Sequence, residues 1–248
     1  MEAGDSRAIS VWSVRLSATE SVNREYRELL SSDEIERADR FVFEHLTRSY
    51  ELSHGALRLL LARALDCPPR EIEFDCGPRG KPFLRENSHL KFNMAHSGDL
   101  ALYAFLFDIE IGADVEEIRD VPEIEKIAAR FFCSEEAKEL KQFGSGEEAV
   151  QAFFRCWTRK EAYIKAVGDG LFIPLDRFQV SLAADEPARF LHIDNDATAA
   201  NEWTLHHLDP APNYVGALAY PGAPRTVHFH ELVTPQELLN GIANRLIP

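Results

Sequence analysis

The sequence predicts an α+β fold made of two similar halves. Two long helical stretches, one ending near Leu65 and one near Val167, are each followed by a Gly-rich turn, a proline and strand-like segments. Residues 58–107 and 160–220 both follow this order, as an internal duplication would. At 248 residues the chain suits one large domain or two small ones, with roughly 150 residues as the usual domain size. We place the division between residues 1–108 and 109–248, and a cleft between like halves is the natural ligand site.

Residues 24–66 are helical in character, with apolar Phe41, Phe43, Tyr50, Leu57, Leu60 and Leu61 among Arg37, Arg40, Arg48, Arg58 and Arg63. Pro68-Pro69 stops the last helix. The Gly and Pro density of residues 76–83 marks a tight turn. Residues 90–93 and 100–116 read as strands, with Ser97-Gly98-Asp99 turning the chain between them. Beyond Asp120 the pattern is helical again over 121–143, and Gly144-Ser145-Gly146 breaks it. A strongly periodic helix follows at 147–167, ended by Gly168-Asp169-Gly170. The remainder is strand-like around 178–182, 203–208, 214–219 and 227–232, and a short amphipathic helix starts at Pro235.

Composition narrows the function. Hydrophobic residues make up 45% and charged residues 27%, enough apolar material for a core. The formal charge, 27 − 41 = −14, argues against gripping a nucleic-acid backbone, which requires clustered Lys and Arg. The longest apolar run, residues 100–107, is far below the ~20 residues needed to span a bilayer. Met1-Glu2-Ala3-Gly4-Asp5 lacks the layout of a secretory signal. Cys67, Cys76, Cys133 and Cys156 contain no C-x-x-C, so free thiols in a reducing compartment are expected. These features predict a soluble cytoplasmic protein.

Residues 109–116 alternate strictly. Ile109, Ile111, Ala113 and Val115 point to one face, and Glu110, Gly112, Asp114 and Glu116 to the other. Asp114 and Glu116 therefore project side by side and can share one hard cation; Mg²⁺ commonly takes one or two carboxylates together with phosphate oxygens. A strand with its polar face in water is the plain alternative. Gly112 permits the close approach of a ligand or of backbone. On the helix that follows, Val150, Phe153, Phe154, Trp157 and Ile164 form a core-facing stripe. At about 100° per residue, Glu161 lies about 40° from Trp157, inside the stripe, and Lys160 and Lys165 flank it. A carboxylate among aromatics needs a cation. The competing reading is an ordinary Glu161–Lys165 pair on the surface.

Four more polar residues are candidates. Lys81, in Gly80-Lys81-Pro82, is a cation on a stiff turn, either phosphate-binding or solvated. Arg48 and Arg58, ten residues apart, can share one helix edge. His96 sits at a strand end before a turn, where histidine usually has a structural role.

Taken in order, these motifs resemble the phosphopantetheinyl transferases of the larger, monomeric Sfp-like type, over about residues 37–239. Gly112-Ala113-Asp114-Val115-Glu116 resembles the family's G-[IV]-D-[VI]-E strand. Phe154-Arg155-Cys156-Trp157-Thr158-Arg159-Lys160-Glu161-Ala162-Tyr163-Ile164-Lys165 resembles its F-x-x-W-x-x-K-E-[AS]-x-x-K helix. Between them lies a helical segment beginning Arg130-Phe131-Phe132. Gly80-Lys81-Pro82, residues 93–98 and residues 172–178 are similar to further family motifs.

The resemblance implies two like subdomains in a pseudo-twofold arrangement with the active site between them. Coenzyme A is the co-substrate there. Its phosphopantetheine arm passes to a serine of an apo acyl or peptidyl carrier protein, releasing adenosine 3′,5′-bisphosphate. Matching positions imply Asp114, Glu116 and Glu161 as ligands of Mg²⁺, or of Mn²⁺ in its place. Lys165 is implied to neutralise charge growing on the phosphates, and Glu136 to take the serine proton. Lys81, His96, Arg48 and Arg58 are implied around the 3′-phosphate on the first half, with Lys160 among the coenzyme contacts. A monomer with no nucleic-acid or membrane partner is expected. A coenzyme-binding protein without transferase activity is the alternative.

Two positions depart from the family pattern: Ala95 where Ser or Thr is common, and His54 where arginine is frequent. The charge of −14 also repels an acidic carrier, so docking should rest on apolar contacts or on a local basic patch such as Arg37 and Arg40.

Overall fold

The computed structural model describes residues 8–168 and 172–241. The chain opens on a strand, β1 (Ile9–Arg15), upstream of the first element expected from sequence. Helices α1 (Glu20–Leu29), α2 (Ser32–Ala38) and α3 (Glu44–Leu65) follow. Thr19 caps α1, and Ser31 with Glu34 forms a capping box on α2. Then come the hairpin β2 (Phe74–Cys76) and β3 (Pro82–Leu84) and the hairpin β4 (Leu90–Ser97) and β5 (Leu100–Phe107). The second half repeats the series. It runs β6 (Gly112–Glu117), α4 (Ile124–Phe131), α5 (Ser134–Gln142) and α6 (Glu147–Val167). The hairpin β7 (Phe178–Val180) and β8 (Phe190–Ile193) is followed by α7 (Ala197–Ala200), then by β9 (Trp203–Leu208) and β10 (Tyr214–Pro221). Last are β11 (Val227–Phe229) and α8 (Pro235–Leu239).

The main sheets have the strand orders β11-β1-β5-β4 and β6-β10-β9. In each, the opening strand of a half pairs antiparallel with its last: Val11 opposite Ala104, and Ala113 opposite Leu218. The residues facing inward from both sheets, among them Val11, Leu102 and Ala104 from the first and Ala113, Val115 and Leu218 from the second, form one apolar layer. Helix α3 covers the outer face of the first sheet, packing Leu57, Leu60 and Leu61 over Trp12, Tyr103 and Phe105. Helix α6 covers the outer face of the second, with Ala162, Ile164 and Ala166 against Val215, Ala217 and Ala219. The order is helix, sheet, sheet, helix.

Two sequence expectations change, and the plain alternative for the acidic strand is set aside. The strand expected over 100–116 is two strands, because Asp108 takes a left-handed turn (φ 62°) between them. The polar face of the second strand is not in water, since Gly112 and Asp114 are both buried. The division at 108/109 does not hold for the chain end. Strand β11 pairs parallel with β1 (Ile9 opposite Val227), and the Tyr26 hydroxyl donates to the Pro235 carbonyl at 3.0 Å. Residues 227–239 thus return to the first half and cover an edge that β1 would otherwise leave open. Gly168 caps α6 at φ 87°, as a terminal glycine should; the expected Asp169-Gly170 lies outside the described residues. All four cysteines are free. Among the described residues no helix is long and apolar enough to cross a membrane.

Candidate active site

The site begins with a missing side chain. A Cβ on Gly112 would stand 2.0 Å from the Ala162 carbonyl oxygen and 2.3 Å from the Ala166 nitrogen, so β6 lies directly on the backbone of α6. That contact brings the acidic strand onto the charged end of the helix. Lys165 Nζ donates to Asp114 Oδ1 at 2.6 Å. Asp114 is 5% exposed, and its other oxygen, Oδ2, is buried with no hydrogen-bond partner. Burial pushes the Asp114 carboxyl up to about 7; Lys165 opposes the shift, and Glu161 and Glu116 add to it. Burial also raises Glu161, where Lys165 opposes and Glu116 adds. The three carboxylates and Lys165 therefore lie within one another's fields. Strand β6 is also tied to β4, where buried Asn93 Oδ1 accepts from the Ala113 amide at 2.9 Å.

The turn between β4 and β5 supports Glu116. Ser97 Oγ donates to Glu116 Oε2 at 2.8 Å and accepts from the Glu117 amide at 3.1 Å. Arg119 Nη1 approaches the same carboxylate oxygen at 3.1 Å. Asp99 is held by Arg15 (2.8 Å) and by the Tyr214 hydroxyl (2.7 Å), which fixes the turn from both halves. Sequence reasoning passed over Ser97; its place directly after His96, at a strand end, was the available signal.

His96 lies within the fields of Lys165 and Glu116. Burial and the nearby Lys165 lower its pKa, and Glu116 opposes them. His54 lies close enough to His96 to feel its charge, and burial takes His54 down to about 4. The Tyr50 ring stacks on His54 with centroids 3.7 Å apart, and the Arg37 guanidinium lies 5.7 Å from the Tyr50 centroid. Arg37, expected from sequence only as part of a docking patch, thus lies beside the Tyr50–His54 stack.

The donor set suits a hard divalent cation: carboxylate oxygens from two elements, one of them buried and unpartnered. As arranged, Lys165 and Arg119 neutralise Asp114 and Glu116. Among the described residues no three His, Cys, Asp or Glu side chains form a ready-made metal cluster. The fit lies in the orphaned Asp114 oxygen and in the mutual fields of the three acids.

Five expected site residues lie elsewhere or are otherwise engaged. Arg48 is half exposed and pairs with Glu44 at 2.5 Å along its own helix. Arg58 is 2% exposed: Nε binds Glu34 at 2.6 Å, and Nη1 donates to the carbonyls of Pro69 (2.7 Å) and Ile72 (3.0 Å). Lys160 and Glu136 are both fully buried, 2.8 Å apart. Lys160 also donates to the carbonyls of Leu175 (2.6 Å) and Phe178 (2.5 Å), while Glu136 accepts from the amides of Cys133 (3.0 Å) and Val180 (2.8 Å). Glu136 cannot meet a serine there, nor Lys160 a coenzyme; both expectations are corrected.

The two buried pairs are one device used twice. Glu136 and Lys160 follow Glu34 and Arg58 by the same interval (136 − 34 = 102; 160 − 58 = 102). In each half the capping-box glutamate of the second helix grips a cation of the long helix, and that cation holds two carbonyls of the turn beyond it. Lys81, the fifth, is likewise engaged: Nζ donates to Glu110 (2.7 Å), Ala166 O (3.0 Å) and Ile111 O (3.2 Å).

Residues 110–219 match the sequence model described as the 4′-phosphopantetheinyl transferase superfamily, and residues 17–106 the one described as 4′-phosphopantetheinyl transferase, N-terminal. The chain is 37% identical over 217 residues to the 4′-phosphopantetheinyl transferase HetI of Nostoc sp., covering 86% of this chain and 88% of that one. It is 31% identical over 208 residues to the 4′-phosphopantetheinyl transferase psf-1 of Bacillus pumilus (84% and 85% covered). With the 4′-phosphopantetheinyl transferase Sfp of Bacillus subtilis the identity is 27% over 218 residues (88% and 93% covered).

Proposed function

The chain belongs to the 4′-phosphopantetheinyl transferases, and from that premise we propose how its cleft works. It is an enzyme that moves the phosphopantetheine arm of coenzyme A onto carrier proteins, in a family that uses a divalent metal. Asp114, Glu116 and Glu161 are the residues that would hold the metal, Mg²⁺ in our reading. The ion, when bound, supplies charge neutralisation and orientation of the pyrophosphate. The observation that carries this assignment is the buried, unpartnered Asp114 Oδ2 beside two further carboxylates on facing elements.

The protein's own groups do the rest. Lys165 sits where charge grows on the phosphate oxygens as the bond to the leaving nucleotide breaks, and positioning with electrostatics is most of what phosphoryl transfer requires. Ser97 and Arg119 orient Glu116. Glu161, only partly buried, accepts the proton of the incoming serine hydroxyl. The serine oxygen then bonds to the pantetheine-side phosphorus, and adenosine 3′,5′-bisphosphate departs. His96 and Arg37 face the nucleotide's 3′-phosphate, a role Arg58 is too buried to fill. A monomer in the cytoplasm completes the proposal.

The test mixes the protein with coenzyme A, Mg²⁺ and a panel of apo carrier proteins, and mass spectrometry seeks addition of one phosphopantetheine arm. Calorimetry with coenzyme A is run alongside, with and without excess chelator. Transfer and binding that both require the divalent ion are expected. Equal coenzyme binding in chelator would overturn the metal assignment.

A further inference from the structure

We propose that Lys81 is a positioning residue that locks the end of the catalytic helix to the acidic strand, and is not a phosphate contact; this rests on the reading of α6 and β6 as the active site. Its ammonium has three protons, and three acceptors take them: Glu110 Oε2, Ile111 O and Ala166 O. The side chain is 16% exposed, and Glu110 is held from its other oxygen by Lys91 at 3.0 Å.

The two carbonyls determine what the lock fixes. Ala166 O belongs to the last turn of α6, where carbonyls lack helical partners and a cation complements the helix dipole. It directly follows Lys165. Ile111 O directly precedes Gly112, the point where strand and helix touch. Lys81, from the turn between β2 and β3 in the first half, therefore joins the second half's helix and strand one residue from Lys165 and one residue from Gly112. Gly112 sets how near the two elements lie; Lys81 sets how far one can slide along the other. That sliding coordinate governs whether Lys165 meets Asp114. Arg79 from the same turn stacks on Phe172, with its guanidinium carbon 3.9 Å from the ring centroid, so the turn holds the chain on both sides of the helix end. Displacement of a positioned group by about 1 Å can cost about 100-fold in rate, which makes such a lock worth a buried lysine.

The experiment uses the full chain and the variants Lys81→Met, Lys81→Arg, Glu110→Gln and the Met/Gln double. In coenzyme-free protein, Lys81→Met should speed amide hydrogen exchange at residues 165–168 by about 10-fold while β4 and β5 exchange as in wild type. In transfer assays kcat should fall about 10-fold or more, with KM for coenzyme A within about threefold of wild type. Lys81→Arg should restore part of kcat, and the double variant should be no worse than Lys81→Met, because Glu110 acts through Lys81. Unchanged exchange, with KM raised about 10-fold at constant kcat and a silent Glu110→Gln, would make Lys81 a phosphate contact and overturn the proposal. A wild-type protein that transfers nothing would instead overturn the proposed function, and the exchange measurement alone would then decide the lock.

Discussion

Asp114 concentrates the chemistry at the scale of single residues. A carboxylate removed from water, with one oxygen on Lys165 and the other unpartnered, costs the metal-free fold stability. Asp114→Asn keeps the shape and removes the charge. We expect transfer to fall by at least about 100-fold, while the metal-free variant melts at or above the wild-type temperature in calorimetry. A lower melting point would show that Asp114 serves the fold and not the reaction. His54 offers a test by pH. Its pKa is lowered from 6.5 to about 4, so between these values the unfolded chain binds a proton that the folded chain does not. Stability from this group is therefore complete above pH 6.5 and lost as pH falls toward 4. By pH 5 the loss should be about 1–2 kcal/mol. Urea titrations at pH 5 and pH 7.5 should give His54→Gln the smaller difference; equal differences would remove His54 from the acid limb.

At the scale of elements, α6 and β6 form one unit joined at Gly112. Gly112→Ala places a methyl on the Ala162 and Ala166 backbone, which no side-chain rotation can relieve. Separation of strand and helix should cost about 1–3 kcal/mol or more, and transfer should fall further than in a surface variant of matched stability. The buried Glu136–Lys160 pair predicts the reverse pattern. Removing one partner leaves an uncompensated charge, so Lys160→Met should lose about 3–5 kcal/mol in denaturant titration. The double Glu136→Gln/Lys160→Met variant should recover part of that, and its folded fraction should still transfer the arm. An inactive yet stable double variant would return Glu136 to the reaction. The sequence revealed the helix and its polar residues but not this division of labour. Periodicity places Lys160 and Glu161 on either side of Trp157 along one apolar stripe, and only the turn at 174–180, packed against Lys160, decides that Lys160 faces the core while Glu161 stays half-exposed.

On the scale of the whole molecule, two copies of one plan meet sheet to sheet, and only the second carries the acids. At the interval of 102 that relates the halves, Trp12 and Val14 stand where Asp114 and Glu116 do. The first half packs those positions against α3, and lends the site His96, Ser97 and the Lys81 turn instead. The overall charge of −14 has its own consequence. Like-charged partners repel at low salt, and the Debye length shrinks from about 30 Å at 0.01 M to about 8 Å at 0.15 M. For an acidic carrier protein, kcat/KM should therefore rise a few-fold across that range. A decrease would reveal a basic docking patch strong enough to outweigh the net charge.

The sequence alone determined the α+β class, the repeated order of elements, the acidic strand, the periodic helix and the family, because those follow from side-chain period, turn residues and motif spacing along the chain. Folding in three dimensions decided the rest. It showed that the last strand returns to the first sheet, that Arg58 and Lys160 are bound to matched glutamates in the interior, and that Lys81 ends on helix carbonyls. A charged side chain carries the same signal in sequence whether it meets a ligand, a carboxylate or a backbone oxygen, and the partner that claims it comes from residues far away along the chain.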